Sequence, residues 1–195
     1  MNGEIEIWNA AVSVCPAVVR RCTDVSQVRA AVGQARAAGL PLSVLGGGHD
    51  CTGRAVRDGG LVIDLRRMRG VEVNGNVATV GGGATAADVI AAAAATGQSA
   101  ATGTVGAVGM AGLTLGGGYG PLTGIAGLAA DNLLSAEVIL ADGTAVTASD
   151  TSDPDLRWAL RGGGGNFGVV TSIQILLHPV VEGLLDASAL EHWGH

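Results

Sequence analysis

Aromatic side chains are scarce in this chain: one Tyr, one Phe and three Trp among 195 residues. The core must therefore be built from Ala, Val, Leu and Ile, within a composition that is 48% hydrophobic. Long apolar runs are also missing. No stretch of about 18 or more uninterrupted apolar residues reads as a membrane span. The start, MNGEIEIWNA, carries two glutamates and no apolar segment of a secretory signal. Basic runs are missing as well. With a net charge of −6 and no interleaving of basic and aromatic residues, the chain does not read as a nucleic-acid binder. Arg20-Arg21 and Arg66-Arg67 read as solvated strand ends. Cys15, Cys22 and Cys51 are odd in number and lack metal-ligand spacing, so reduced thiols in the cytoplasm are expected. The four histidines are scattered, and no metal centre is expected. GxxxxGK(S/T), GxSxG and HExxH are all absent, which sets aside a P-loop, a serine-hydrolase elbow and a zinc protease.

Glycine is abundant instead, at 33 residues. It shows no Gly-X-Y period and sits among plentiful periodic apolar segments, so neither collagen nor disorder fits. The length suits one domain or two closely joined subdomains. The most informative stretch is Pro41 to Asp50, PLSVLGGGHD. Leu42 to Leu45 reads as a buried strand that stops on Gly46, Gly47 and Gly48. Backbone there can press close to a ligand, and successive amides in such a turn form a nest for anionic oxygens. His49 stands at the lip. A phosphate-bearing cofactor with a reactive ring nearby would use all of these features. The device recurs at Gly81–Gly83, at Gly116-Gly117-Gly118-Tyr119-Gly120 and at Gly162–Gly165, which is more than ordinary turn chemistry requires.

The rest of the chain has readable punctuation. Val18 to Cys22 predicts a strand. Thr23 or Asp24 caps a helix carrying Val25, Val28, Val32 and Ala35, which ends at Gly39. A strand follows around 61–65, so the first part reads as a small β-α-β-loop-β unit. Val71–Val73 and Val77–Val80 flank Asn74-Gly75-Asn76 as a hairpin. Thr85 caps a helix from Ala86 to about Thr96. Residues 99–130 are glycine-rich and nearly uncharged, and read as a ligand-lining segment. Asp142-Gly143 joins a second hairpin, Asp153-Pro154 opens a short helix to Leu160, and Val169 to Leu177 is a last strand. The expected division is an N-terminal segment over 1–15, a small subdomain over about 16–70, a larger one over about 71–180, and a patternless tail over 181–195.

A strand ending on glycines invites a dinucleotide-fold reading, but that motif needs a helix opening directly on the glycines. Here they run into His49-Asp50-Cys51-Thr52-Gly53, which is no helix start. The order GGGHD, GLVIDL at 60–65, VGGGAT at 80–85, ATGTVGAVGMAGLTLGGGYG at 101–120, ADNL at 130–133, ADG at 141–143 and LRGGGGNFGVVTS at 160–172 instead resembles the FAD-binding domain of the vanillyl-alcohol-oxidase superfamily. The branch it resembles is the bacterial berberine-bridge-enzyme-like one. The resemblance covers roughly residues 16–180. It implies an α+β fold made of two α/β subdomains of the PCMH-type FAD-binding kind.

The resemblance also implies roles. The nest Gly46, Gly47 and Gly48 would hold the pyrophosphate, and Val44, Leu45 and Asp50 would also belong to the cofactor site. His49 would bond to the flavin 8α carbon, as a neutral imidazole nitrogen is a competent nucleophile. Gly103, Thr104, Val105, Gly106, Val108, Gly109, Gly112, Gly116, Gly117 and Gly118 would line FAD, and Val169 would lie near its adenine end. Where many members carry a second, C6-linked cysteine this chain has Val105, so one covalent bond is expected. Cys51 reads as a buried, inert thiol. Val108 matches the family's oxygen gate, where valine accompanies oxidase behaviour. Tyr119 reads either as the active-site tyrosine or as a packed aromatic at a subdomain seam. Asp50 is the other candidate base.

The implied activity is oxidation of a small organic substrate, with hydride passing to flavin N5 and oxygen reoxidising the flavin. Family members continue into a substrate domain that roofs the flavin, and the residues after Pro179 show none of its pattern. Without that roof the lining around Leu113, Leu115 and Tyr119 would face water, so a homodimer or partner chain is expected to cover it. Three versions stay open: an oxidoreductase completed by such a partner, a flavin-binding module without its own turnover, and a truncated fragment.

Overall fold

Asp24 opens helix α1 (Val25–Ala38) by accepting the Gln27 amide, and Gly39, at φ 63°, closes it, since a left-handed terminus is least strained without a Cβ. The computed structural model describes residues 5–180; the tail over 181–195 lies outside them. α1 links β1 (Val18–Arg21) to β2 (Leu42–Leu45), and β3 (Leu61–Asp64) inserts between the two, giving a parallel sheet of order β1-β3-β2. Insertion suits LVID because all four residues are buried, as expected of a strand covered on both faces. Val28, Ala31, Val32 and Ala35 of α1 pack with Leu61 and Ile63 in one core cluster. Ile5, Ile7 and Val14 pack with Leu45, Val56 and Val62 in another. The register sets Arg21, Asp64 and Leu45 abreast, so Gly46–His49 leave from the carboxyl edge of this sheet.

The larger sheet is antiparallel. β4 (Val71–Asn74) and β5 (Val77–Gly81) form the first hairpin, and β7 (Leu133–Ile139) and β8 (Ala145–Ser149) the second. β9 (Val169–Pro179) lies between them in the order β4-β5-β9-β7-β8 and also pairs with β6 (Gln98–Ala100). Thr85 and Asp88 cap α2 (Ala86–Ala94) reciprocally, and Asp153 with Pro154 opens α5 (Pro154–Leu160). The core is aliphatic and small, with Ala78, Ala84, Ala93, Ala136 and Ala148 among Val80, Met110, Leu133, Ile173 and Ile175. The aromatics stand outside it: Trp8, Tyr119 and Trp158 are exposed.

Residues 99–130 hold more regular structure than the sequence suggests. α3 (Met110–Leu115) and α4 (Thr123–Ala126) lie here, and a 3-10 turn (Ala129–Asn132) begins at its end. Leu115, expected to face water, is 7% exposed. Its carbonyl accepts the amides of Gly162 and Gly164, so the fourth glycine cluster closes the end of α3. Cys51, read as buried, is exposed, and Cys22 is the buried thiol, its pKa pushed up by burial.

Asp64, at the carboxyl end of the inserted strand, is buried, and accepts Arg66 Nε at 2.9 Å and Nη2 at 2.7 Å. Burial works to raise its pKa, but the Arg66 side-chain and backbone hydrogen bonds outweigh it and hold the carboxyl below its ordinary value. A carboxylate with a depressed folded pKa stabilises fully above its unfolded pKa of about 3.9 and loses that contribution as pH falls through the folded value. Asp64→Asn should lower stability by about 2 kcal/mol at pH 7, less than for a fully buried pair because Arg66 keeps some water. Denaturant midpoints should show the gap from wild type narrowing at acid pH; a gap that widens there would contradict this account.

Candidate functional site

Three glycine segments distant in sequence meet at the carboxyl edge of the small sheet. A Cβ built on Gly47 would collide with the backbone of Ala107 and Gly109, and one on Gly109 would collide with Gly47. The two loops touch main chain to main chain, an approach that only glycine permits. Gly46 faces the Gly82 carbonyl across the same junction. The 106–109 loop is fastened from behind, since the amides of Ala86 and Ala87 donate to Val108 and Gly106 carbonyls, and Met110 N–H donates to Ala84. Gly82 N–H in turn donates to Thr171 in β9. The junction therefore ties the small sheet to the centre of the large one.

The amides of this junction are the chemical feature. None of the backbone N–H groups of Gly46, Gly47, Gly48 and His49 donates to a described residue, although Gly48 is buried. Native chains rarely leave a buried amide without an acceptor. A run of such donors next to a glycine turn suits the oxygens of a phosphate. Gly48, at φ 72°, turns the chain so that His49 follows at the rim. Its ring stacks on Trp8, with centroids 5.9 Å apart and planes at 21°. Nothing in the sequence reading singled out Trp8; the alternation Ile5, Ile7 before it was the available signal.

The remaining predicted residues divide into groups. Val44 is half-buried, while the side chains of Leu45 and Val169 lie in core clusters, so Leu45 and Val169 offer a ligand only their backbones. Thr104 and Val105 are exposed, and Val108 is half-buried. Gly112 lies inside α3 with open space where a Cβ would stand. Gly117 and Gly118 carbonyls accept Ala130 and Ala129. Gly120 presses on Thr102, and Gly103 lies against Leu113 with the Tyr119 carbonyl at 3.8 Å from a built Cβ. The 116–120 segment thus borders the start of the 103–109 loop, and Tyr119 is 77% exposed at that border.

Asp50 is committed elsewhere. Its carboxylate accepts Arg54 Nε at 3.0 Å and Nη2 at 2.7 Å, and the Thr52 amide and hydroxyl at 2.9 and 2.6 Å. The Arg54 hydrogen bond, with those from Thr52, holds the carboxyl far below the usual range, which makes it a poor base and a good brace for the 50–54 turn. A cleft of about 350 Å³, lined by Thr23, Met68, Thr79, Glu137 and Ser172 among others, includes no residue of the loops at 46–49 and 103–109 in its lining. Among the described residues no group of three or more His, Cys, Asp or Glu could hold a metal ion. No helix there is long and apolar enough to cross a membrane.

Known proteins share this fold. Residues 16–149 match a family described as FAD binding domain. The chain is 40% identical over 181 residues to (R)-6-hydroxynicotine oxidase of Paenarthrobacter nicotinovorans, covering 92% of this chain and 40% of that protein. The crystal structure of 6-hydroxy-D-nicotine oxidase from Arthrobacter nicotinovorans aligns with a TM-score of 0.88 at 41% identity, over 89% of this chain and 39% of that one. Glucooligosaccharide oxidase from Acremonium strictum, described with a 6-S-cysteinyl, 8α-N1-histidyl FAD, aligns with a TM-score of 0.85 at 38% identity, over 90% of this chain and 38% of that one. The chain spans about two fifths of the length of these relatives.

The loop contact generates a contrast between two glycines. Gly47→Ala should destabilise the fold by about 1–3 kcal/mol, since its methyl meets backbone that cannot rotate away. Gly112→Ala should leave stability unchanged or raise it by up to about 1 kcal/mol, as it adds a helix former in open space. Thermal unfolding of the two variants checks this; equal losses in both would show that the 47–109 contact is slack.

Proposed function

Since this chain belongs to the FAD binding domain family, within the vanillyl-alcohol-oxidase superfamily and its PCMH-type fold, we propose that it holds FAD across the Gly46–His49 and Gly103–Gly109 loops as the cofactor unit of an FAD-dependent oxidoreductase. The observation that carries this reading is the run of four amides without a described acceptor beside His49. Gly46, Gly47, Gly48 and His49 supply N–H donors to the pyrophosphate. The 103–109 and 116–118 segments border the ring system. The bound cofactor supplies a hydride acceptor at N5 that oxygen recharges, and a small organic substrate is the hydride donor.

His49 is the proposed tether. Its half-buried ring stands next to the amide run, as a group that must reach one edge of the flavin would. Forming the bond from an imidazole nitrogen to the 8α carbon would release one proton from that carbon and the N–H proton of the ring, and the two electrons left over would pass to dioxygen to give hydrogen peroxide. Val105 has no thiol, so the link is single. The division into a small unit over about 16–70 and a larger one over 71–180 belongs to the same proposal, supported by the separate sheets. The free state of Cys15, Cys22 and Cys51 supports a reducing, cytoplasmic setting.

The alternative, a flavin-binding module that needs further polypeptide for turnover, draws on one observation. Tyr119 is exposed on the segment bordering the 103–109 loop, Ile125 and Leu128 are exposed shortly after it in the chain, and the relatives are longer than this chain. A homodimer or a partner chain would cover that surface and bring the base that Asp50 cannot provide.

His49→Ala should leave flavin that is released by acid from a folded protein, while wild type keeps a yellow pellet after acid precipitation. Wild-type flavin that washes out in acid would remove the tether and leave non-covalent binding standing. Val108→Leu should slow reoxidation of the reduced protein by at least about tenfold, or about 1.4 kcal/mol on the barrier. Equal stopped-flow rates in both proteins would take Val108 out of that role.

A further inference from the structure

His49 is held in an unusual way. Among the described residues no hydrogen bond reaches either nitrogen of its ring, whereas Nε2 of the other described histidine outside this loop, His178, lies 2.6 Å from Asn132 Oδ1. What the His49 ring does have is a face contact with Trp8, at 5.9 Å between centroids and 21° between planes. A His side chain has a broad second torsion, so a ring without hydrogen bonds turns freely unless something flat lies against it.

Trp8 is fastened to the loop that carries His49. Its backbone N–H donates to the Gly48 carbonyl at 3.0 Å, and Asn9 Nδ2 donates to the Cys51 carbonyl at 2.7 Å. Ile5 and Ile7, just before it, pack against the cluster of Leu45, Val56 and Val62. The anchoring is thorough, yet the indole itself is 64% exposed, so the core gains little from it. An anchored, exposed indole lying on an imidazole fixes the plane of that imidazole and leaves both nitrogens free.

That is what a nitrogen nucleophile requires. A hydrogen bond would orient the ring but occupy one nitrogen. Stacking orients it and keeps both lone-pair edges open. We propose that Trp8 is a positioning residue for His49, holding the imidazole so that a nitrogen edge faces the reacting carbon of the cofactor. Trp8 then sets the rate of tether formation and not the affinity for FAD. The proposal rests on the reading of His49 as the tether, and it gives the N-terminal segment, set outside the domain by its sequence, a part in the site.

Two variants separate stacking from bulk: Trp8→Phe keeps a flat face, and Trp8→Leu keeps apolar volume without one. The flavin-free chain, produced under riboflavin limitation, is mixed with FAD, and acid-stable flavin is followed over time alongside FAD affinity measured before the tether forms. In Trp8→Leu the tether should form at least about tenfold more slowly, the scale of a modest misplacement of a reacting group, with affinity unchanged. Trp8→Phe should restore most of the rate. Proton NMR of the flavin-free protein gives a second readout, because the indole ring current should shift the His49 ring protons upfield and Trp8→Leu should abolish that shift. A Leu variant that tethers at the wild-type rate, or a Phe variant as slow as Leu, overturns the proposal. So does a loss of rate matched by a loss of affinity. If the wild type forms no acid-stable flavin, the tether reading falls and the positioning role with it, while the ring-current shift still reports separately whether the contact exists in solution.

Discussion

The contact of Gly47 with Gly109 is the constraint on which the site depends. Two loops from different sheets approach until their main chains touch, and neither has room for a methyl group. Everything that positions the two loops serves this contact. β3 inserts between β1 and β2 and brings Leu45 to the sheet's edge. α2 accepts the 106–109 loop through two amide donors. Gly82 connects the junction to β9. Because backbone at such a junction cannot rotate out of the way, the spacing of the amides is set by the fold and not by side-chain rotamers. A cofactor held mainly by main-chain donors therefore meets a rigid cradle, with less ordering entropy to lose on binding.

The surroundings of the cradle share its economy of side chains. The large core is made mostly of Ala, Val, Ile and Leu, and small side chains allow helix α2 and the loops to lie close to the sheet. Charged groups near the site are braces. Asp50 locks the turn after His49 through Arg54 and Thr52. Asp64 fixes the carboxyl end of β3 through Arg66. Neither carboxylate is free for proton transfer, which leaves His49 and Tyr119 as the titratable side chains among the described residues read as belonging to the site.

What was legible in the sequence was what local chemistry dictates. Asp24, Gly39, Thr85 and the Asp153-Pro154 pair end or begin helices through their own hydrogen bonds or torsions. Gly75 and Asp142-Gly143 make hairpins wherever flanking strands alternate. The GGGHD run read as a phosphate nest, and the structure places there four amides without a described acceptor. What was not legible depends on partners far along the chain. α3 has six residues and no strong periodicity, and its end is fixed by amides from Gly162 and Gly164. The glycines at 47 and 109 were read as lining a ligand, and the sequence did not show that their backbones also touch each other. Trp8 had no motif at all, because stacking on His49 leaves no spacing pattern in a sequence.

The position of β9 has a consequence for how the protein is made. This strand begins at Val169, after every other described element, yet it pairs with β5, β6 and β7. Both hairpins and α2 can emerge from the ribosome and form locally, but the large sheet has no centre until β9 arrives. Until then Gly82 has no Thr171 carbonyl to hold it, and the junction of the glycine loops cannot set. Non-local pairing of this kind slows folding, and the unpaired edges of β5 and β7 are exposed during synthesis, at roughly 5–20 residues per second. Among the described elements the glycine junction is therefore the last feature able to set, because it waits for the pairing of β9.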